Sequence, residues 1–575
     1  VYEIMKKKPI GMKKRLTNYG DDDFALFLRK SFIKGFGHTD DALDKPVIGI
    51  INTYSDFNSC HGNLNGLVEA SKAGVLAAGA LPLSFPTISL HESFSFPTSM
   101  YLRNLMAMDT EEMMKALPLD ACILIGGCDK TVPAQIMGAL SANIPFVQLV
   151  TGPMSVGSFK GDRVGACTDC RRIWADYRSD NLTDEDVLEA SNQLVPTVGT
   201  CGVMGTASTM ALMVETLGLM VPGGACAPAV SAQRVRIAEE SGTLAVKIAN
   251  LNNKPRDWLT ERSFENALRV LLAVGGSTNG IIHLTAMAGR VGINPSLDRL
   301  DELGANTPVI VDLKPSGEGY MEDLDKAGGL VRILTEIEDL LHLDELTVSG
   351  ETLNQVIKRT RRGWPQTVVR TRKTPVFDSG GLAVLKGNLA PDGAIIKQSS
   401  ASSKLVNHQG RAVVFDGLAD LSNRIDDEDL DVSSKDILVL KNIGPKGAPG
   451  MPEAGLIPIP KKLARMGVKD MVRISDGRMS GTASGTIVLH VAPEAAVGGP
   501  LNYVKNGDEI YLNVNTRTLK LLVSDEELQV RKKMMPIITT SPKRGYGKLF
   551  HEHVTQAPQG VDFDFLLGVD DENKL

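Results

Sequence analysis

Between Lys45 and Pro228 the chain alternates short apolar runs with longer stretches of helical character, and this alternation restricts the possible folds more than any other feature. Pro46-Val-Ile-Gly-Ile-Ile-Asn52 reads as a buried strand, and Leu64 to Ala80 as an Ala-rich helix. Phe85 to Leu90 reads as the next strand, and Thr98 to Ala116 as a helix with Met and Leu at helical spacing. Asp120-Ala-Cys-Ile-Leu-Ile125 is a third strand, trailed by Gly126-Gly127 and a helix beginning near Pro133; Pro145-Phe-Val-Gln-Leu-Val150 closes a further unit. Apolar strands separated by helices are the pattern of a mostly parallel sheet covered on both faces. Asn252 to Ile357 reads as mostly helical and polar, closing this first domain.

Beyond Arg361-Arg362-Gly363 the texture changes. Arg411-Ala-Val-Val-Phe415, Ile437-Leu-Val-Leu440, Met471-Val-Arg-Ile474 and Ile487-Val-Leu489 are short and separated by Gly, Asp and Pro. Glu509 to Val514 and Leu519 to Val523 flank Asn515-Thr516-Arg517 like a hairpin. The expected architecture is therefore α/β: an N-terminal, mostly parallel α/β domain over residues 1–374 and a C-terminal β-rich, barrel-like domain over 375–575.

A formal net charge of −6 argues against non-specific binding to nucleic acid or anionic membranes. No run of about 20 apolar residues is present. Val1 to Leu16 is basic without the apolar core of a secretory signal. A cytoplasmic protein acting on a small molecule is the expectation. Seven cysteines, an odd number in a long chain, do not read as a disulfide framework.

Three of those cysteines stand out by placement. Cys60, Cys128 and Cys201 each lie in a loop between an apolar strand or Gly-rich turn and a helix. In an open parallel sheet such loops gather at the carboxyl edge, where ligands bind, and helix N-termini stabilise thiolates. Three converging thiolates point to a metal or an iron–sulfur cluster. Cys122 and Cys226 read as small buried hydrophobes. Cys167-Thr-Asp-Cys170 is a C-x-x-C pair without a second pair or a thioredoxin-like context, which favours a structural role. Asp129 and Lys130 follow Cys128, Glu92 follows a strand, and Glu453 follows the Gly/Pro-rich loop Gly444 to Pro452. Oxygen ligands from Glu92, Asp129 and Glu453 suit Mg²⁺ rather than zinc. Ile474 to Thr486, rich in small and hydroxyl residues, could line an anion or substrate site.

Seven segments, in order along the chain, resemble the iron–sulfur dihydroxy-acid and sugar-acid dehydratases, a family that includes 6-phosphogluconate dehydratase. They are Ser55-Asp-Phe-Asn-Ser-Cys-His61, Gly126-Gly-Cys-Asp-Lys-Thr131, Gly199 to Ser208, Gly275-Gly-Ser-Thr-Asn279, Gly447 to Glu453, Asp476-Gly-Arg-Met-Ser-Gly481 and Pro493 to Pro500. The resemblance implies a cluster held by Cys60, Cys128 and Cys201, of [2Fe–2S] type with [4Fe–4S] as the alternative. It implies Mg²⁺ held by Glu92, Asp129, Glu453 and a carbamylated Lys130. It also implies Ser480 as the catalytic base, Thr482 as a substrate contact, and a homodimer or homotetramer. Asn58-Ser59-Cys60 departs from the commoner Asn-Pro-Cys, with the cysteine retained. Thr98 to Leu105 and Met479 to Gly485 look more like the sugar-acid branch than the branched-chain biosynthetic one, so the expected reaction is dehydration of a pentonate-like acid. Activity on 2,3-dihydroxyisovalerate is the alternative, and a non-enzymatic iron–sulfur sensor is the reading from another class.

Overall fold

The computed structural model describes residues 9–360, 363–534 and 541–568. Arg361 and Arg362, where the sequence texture changes, lie outside the described residues, as do the first eight residues of the basic N-terminal stretch.

Four strands, β1 (Val47–Asn52), β2 (Leu81–Pro86), β3 (Ala121–Gly126) and β4 (Phe146–Val150), form a parallel sheet in the order β2-β1-β3-β4. β3 and β4 are buried along their whole length, as expected for strands covered by helices on both faces. Those helices include Leu64–Ala77, Ser99–Ala116, Thr131–Ala142 and Ala232–Leu251. Gly49 in β1 is required by packing: a Cβ there would lie 2.9 Å from both Leu119 and Phe85.

The second strand differs from expectation. It starts at Leu81 rather than Phe85 and ends at Pro86, paired with β1 from Val47–Leu81 to Asn52–Pro86. Its two prolines, Pro82 and Pro86, disguise it in the sequence. They are tolerated because β2 is the edge strand, where missing N–H donors leave no central ladder broken. The region from Asn252 to Ile357 is helical as expected but not uniformly polar. Asn279–Gly289 is buried almost throughout, and Glu261–Ala273 presents one largely buried face. They form the centre of the N-terminal core rather than its cover.

A small hairpin, β5 (Gly157–Phe159) with β6 (Asp162–Val164), follows the sheet. The C-terminal half is a closed eight-stranded barrel of β7 (Ala383–Gly387), β8 (Ala390–Ile396), β9 (Asn407–Asp416), β10 (Ile437–Lys441), β11 (Arg473–Ser475), β12 (Ile487–Ala492), β13 (Glu509–Asn513) and β14 (Thr518–Leu521), in the order β10-β11-β12-β8-β7-β14-β13-β9. The expected hairpin is β13 with β14. Closure removes exposed sheet edges. Ala383, Leu385, Ile396, Val439, Ile474, Val488, Leu512 and Leu519 are among the side chains of its apolar core.

Within the barrel, β9, β10, β11 and β12 run parallel. The loops at the carboxyl ends of β10 and β11 carry Glu453 and Ser480, just as those after β1, β2 and β3 carry Cys60, Glu92 and Cys128. The carboxyl ends of parallel strands from both halves thus supply one site. The segment 546–563 returns to the N-terminal half, where the buried Arg290 pairs with the buried Asp562 at 2.7 Å and Arg103 donates to the carbonyls of Gly560 and Val561. Among the described residues no helix is long and apolar enough to cross a membrane.

Candidate active site

Cys60 sits in the turn Ser59–His61 ahead of the helix Leu64–Ala77, and Cys128 lies just ahead of Thr131–Ala142. The two loops are pinned together by His61. Its Nδ1 lies 2.8 Å from the Thr53 carbonyl, and its Nε2 accepts the Gly127 N–H at 2.8 Å. With Nδ1 donating and Nε2 accepting, the ring is a neutral structural bracket, and burial holds its pKa down to about 4. Gly127 allows this approach, since a Cβ would lie 2.1 Å from Thr151 Oγ1 and 2.9 Å from the Cys60 carbonyl.

The thiols of Cys60 and Cys128 and a ring nitrogen of His91 all lie within 4.8 Å of one another. A hydrogen bond from Cys128 is the largest influence lowering the Cys60 thiol, with His91 adding to it, whereas Cys128, the donor of the pair, is pushed up. His91 was not singled out from the sequence; its only local signal is that it precedes Glu92. Cys201 precedes the helix Thr206–Thr216, and its thiol lies 3.8 Å from that of Cys167. The Cys167 hydrogen bond, then burial and the charges of Cys167 and Cys60, push the Cys201 thiol up. The structure therefore brings Cys60 and Cys128 together, places Cys201 within electrostatic reach, and adds Cys167 from the C-x-x-C pair. Cys122 and Cys226 are buried, as expected of small hydrophobes.

Beside the thiols, carboxylate oxygens of Glu92, Asp129 and Glu453 lie within 4.8 Å of one another. The fully buried ammonium of Lys130 stands among them, 3.3 Å from Glu92, 3.6 Å from Glu453 and in close contact with Asp129. Arg478, also buried, closes the other side. It pairs with Glu453, lies 3.3 Å from Glu92, and donates to Thr98 Oγ1 at 2.7 Å. Burial alone would raise the Glu92 carboxyl. Lys130, Arg478 and the hydroxyls of Ser99 and Thr98 outweigh it and hold Glu92 well below the usual carboxylate range. Glu453, largely buried, goes the other way: burial raises it despite Arg478 and Lys130. Lys130 is raised, because the three carboxylates overcome its burial and the repulsion of Arg478. Arg478 was legible in Asp476-Gly-Arg-Met-Ser-Gly481 only as part of the segment; its two-sided pairing is tertiary.

Ser480 and Thr482 occupy the loop between β11 and β12, with their hydroxyls 2.8 Å apart. The loop is fixed through four successive carbonyls. Met479 accepts from Asn279 Nδ2 at 3.0 Å, Ser480 from Ala483 N at 3.1 Å, Gly481 from Lys397 Nζ at 3.4 Å and Thr482 from Thr168 Oγ1 at 2.9 Å. Thr168 is the residue after Cys167, so the hydroxyl loop and the thiols share an anchor. Lys397, at the end of β8, is 1% exposed, and burial with no compensating carboxylate brings its pKa from 10.5 to about 7. Nothing in the local sequence singled it out. The Glu453 loop is fixed in turn by Glu494, which accepts from the N–H groups of Lys446 and Gly447.

The donor sets fit the groups expected from the sequence. Oxygens on one Mg²⁺ at about 2.1 Å lie up to about 4.2 Å apart, so three carboxylates within 4.8 Å need only rotamer-scale movement. The Lys130 ammonium already stands where a cation would be held. Thiolates sharing a tetrahedral metal at about 2.3 Å lie about 3.8 Å apart. Cys60 and Cys128, within 4.8 Å and buried, fit that geometry after a small adjustment.

Residues 45–356 match the model of the dihydroxy-acid/6-phosphogluconate dehydratase N-terminal region, and residues 367–561 match that of its C-terminal region. The L-arabinonate dehydratase of Rhizobium leguminosarum bv. trifolii is 45% identical over 98% of this chain and 98% of its own. The 6-deoxy-6-sulfo-D-gluconate dehydratase of Pseudomonas putida is 41% identical over 95% of each. A dihydroxy-acid dehydratase of Clostridium botulinum is 35% identical over 93% of this chain and 97% of its own. With both regions matched in order around the thiols, carboxylates and hydroxyls described above, the chain belongs to the dihydroxy-acid/6-phosphogluconate dehydratase family.

Proposed function

We propose that this protein is a hydro-lyase that converts a sugar acid, of the pentonate class, into the 2-keto-3-deoxy acid. The observation that carries the substrate class is the near full-length similarity, at 41–45% identity, to relatives named for sugar acids. In this reading Cys60, Cys128 and Cys201 hold an iron–sulfur cluster of [2Fe–2S] type, with [4Fe–4S] the alternative. Glu92, Asp129, Glu453 and Lys130 hold Mg²⁺, Lys130 as its carbamate. Carbamylation removes the cation now standing among the carboxylates and supplies an oxygen donor in its place.

When bound, Mg²⁺ and the cluster iron supply Lewis-acid polarisation of the substrate's carboxylate, 2-hydroxyl and departing 3-hydroxyl. The protein's own groups move and place the proton. Ser480 Oγ takes the C2 proton as general base. Thr482, whose hydroxyl lies 2.8 Å away, donates to the serine oxygen when it is deprotonated and contacts the substrate. Clamping of the loop's carbonyls by Asn279, Lys397 and Thr168 keeps Ser480 in register without reorganisation during the reaction. The C2 proton and the C3 hydroxyl leave as water, and the enol tautomerises to the 2-oxo acid with no net electron transfer. His61, with both ring nitrogens engaged, serves as a bracket and not as a base.

A cytoplasmic homodimer or homotetramer is part of the same reading. Dehydration of 2,3-dihydroxyisovalerate is the second reading, supported by the 35% similarity to dihydroxy-acid dehydratases. A non-catalytic sensor has no use for the Ser480–Thr482 pair or the carboxylate nest. The deciding experiment is an anaerobic turnover panel of pentonates, hexonates and 2,3-dihydroxyisovalerate, with iron, sulfide and magnesium analysis of the same preparation. Pentonate turnover with bound iron and sulfide is expected. Turnover confined to the branched acid refutes the sugar-acid assignment, and four irons per chain refute the [2Fe–2S] type.

A further inference from the structure

The C-x-x-C pair is left over by the chemistry above, and its surroundings make it more than two buried thiols. Cys167 is the N-cap of the helix Thr168–Arg178, and Cys170 lies one turn along it. The Cys167 thiol lies 3.8 Å from that of Cys201 on one side, and on the other the first helical turn brings Cys170 to the same end of the helix. Cys167 and Cys170 are only partly buried, whereas Cys60 and Cys128 are buried. Cys201 is partly buried as well, and a thiol positioned between a proposed cluster ligand and a second partly open thiol has the layout of a disulfide exchange centre.

We propose that Cys167, Cys170 and Cys201 form a thiol–disulfide relay that captures oxidation at the cluster site of the cluster-free protein as a reversible disulfide and returns Cys201 to the thiol state. The oxidant is a peroxide. The Cys167 and Cys201 thiols each give up one proton and one electron, hydrogen peroxide takes both pairs and becomes two waters, and a Cys167–Cys201 bond forms. The Cys170 thiolate then attacks Cys167 Sγ. The bond to Cys201 breaks, a Cys167–Cys170 bond forms, and Cys201 leaves as a thiolate that takes up the proton Cys170 released. A low-molecular-weight thiol such as glutathione supplies two electrons and two protons to reduce the Cys167–Cys170 disulfide at the partly open position. The physical need is specific. A Cys201 sulfenic acid with no thiol in reach proceeds to sulfinic acid, which glutathione does not reverse, while a thiol in contact diverts it to a disulfide.

The consequence for cluster loading rests on the reading of Cys201 as a cluster ligand; the exchange itself does not. The test uses the full chain, stripped of metal anaerobically, treated with a several-fold excess of hydrogen peroxide (two equivalents per thiol being needed to reach sulfinic acid), alkylated and peptide-mapped by mass spectrometry. Disulfides joining Cys167 to Cys201 and Cys167 to Cys170 are expected, with full recovery of free thiols in glutathione. Cys170→Ser is expected to trap the Cys167–Cys201 disulfide and slow its reduction by glutathione at least about tenfold, and Cys170→Ala to do the same. Cys167→Ser is expected to abolish both disulfides and leave Cys201 as sulfinic acid. The proposal is overturned if wild-type Cys201 goes to sulfinic acid with Cys167 still free, or if both Cys170 variants are reduced at the wild-type rate. Iron and sulfide content of Cys201→Ser separates the two ideas: a full cluster there removes Cys201 from the ligand set while the mapped disulfides stand.

Discussion

Lys397→Met tests whether the loop carrying Ser480 is held by a buried amine at the expense of stability. Lys397 is 1% exposed, and burial brings its pKa from 10.5 to about 7. The folded value lies below the unfolded one, so between about pH 7 and 10.5 the unfolded chain binds more protons and the parent protein gains stability as pH rises. At about 1.4 kcal/mol per pH unit, the penalty is about 4 kcal/mol at pH 7 and about 2 kcal/mol at pH 9. Methionine fills nearly the same volume without the penalty but forfeits the bond to the Gly481 carbonyl, a loss of about 1 kcal/mol. The variant should therefore be more stable than its parent by about 3 kcal/mol at pH 7 and by about 1 kcal/mol at pH 9. Its turnover should fall about tenfold, because the Gly481 carbonyl is freed beside Ser480, with KM little changed. Scanning calorimetry of parent and variant at both pH values, at one scan rate, reads the first effect, and steady-state kinetics the second. An advantage in thermal midpoint that does not shrink between pH 7 and pH 9 would falsify the depressed lysine. Undiminished turnover would remove Lys397 from the group that positions Ser480.

Four other expectations follow from the site and its supports. Ser480→Ala should keep iron, sulfide and substrate affinity while kcat drops at least about a hundredfold, the scale of losing a positioned base; near-normal turnover would reassign the proton to another group. Cys128→Ser should lose bound iron and sulfide together with all dehydration, because a hydroxyl is a poor ligand for iron, and elemental analysis reads this directly. In Glu453→Gln one of three clustered carboxylates is neutralised, so activity should fall and return in part at high Mg²⁺; a response flat in Mg²⁺ would count against the ligand role. Asp562→Ala leaves the fully buried Arg290 only Glu111 at 3.8 Å and the Ser141 hydroxyl as partners and should cost about 3 kcal/mol, with hydrogen exchange accelerating first in residues 550–563.

Much of the architecture was legible in the sequence because it depends on short-range pattern. The apolar runs at Val47–Asn52, Ala121–Gly126 and Phe146–Val150 could only be buried strands, and the helices between them forced parallel pairing. The loop positions of Cys60, Cys128 and Cys201 followed from the same pattern, as did that of Glu92 after a strand, and recognisable segments carried Asp129, Glu453 and Ser480. β2 was misplaced because its prolines speak against a strand until its place at the sheet edge is known.

What only the tertiary structure decided is which groups share a charge or a proton. Lys130 among three carboxylates from three separate loops, with Arg478 bracing two of them, depends on two sheets presenting their carboxyl ends to one another. His61 is a bracket rather than a base, because both of its ring nitrogens are taken by backbone groups. Lys397 carried no signal, since a lysine after a strand is ordinarily a solvated residue; enclosure without a counter-charge is a property of its surroundings. Cys167 read as half of an isolated pair, and its third thiol lies 34 residues away in sequence and 3.8 Å away in space. Local sequence sets backbone preference and amphipathic period, which fix elements and loop positions. Burial, and with it the strength of every electrostatic and thiol contact, is set by what the rest of the chain packs around each group.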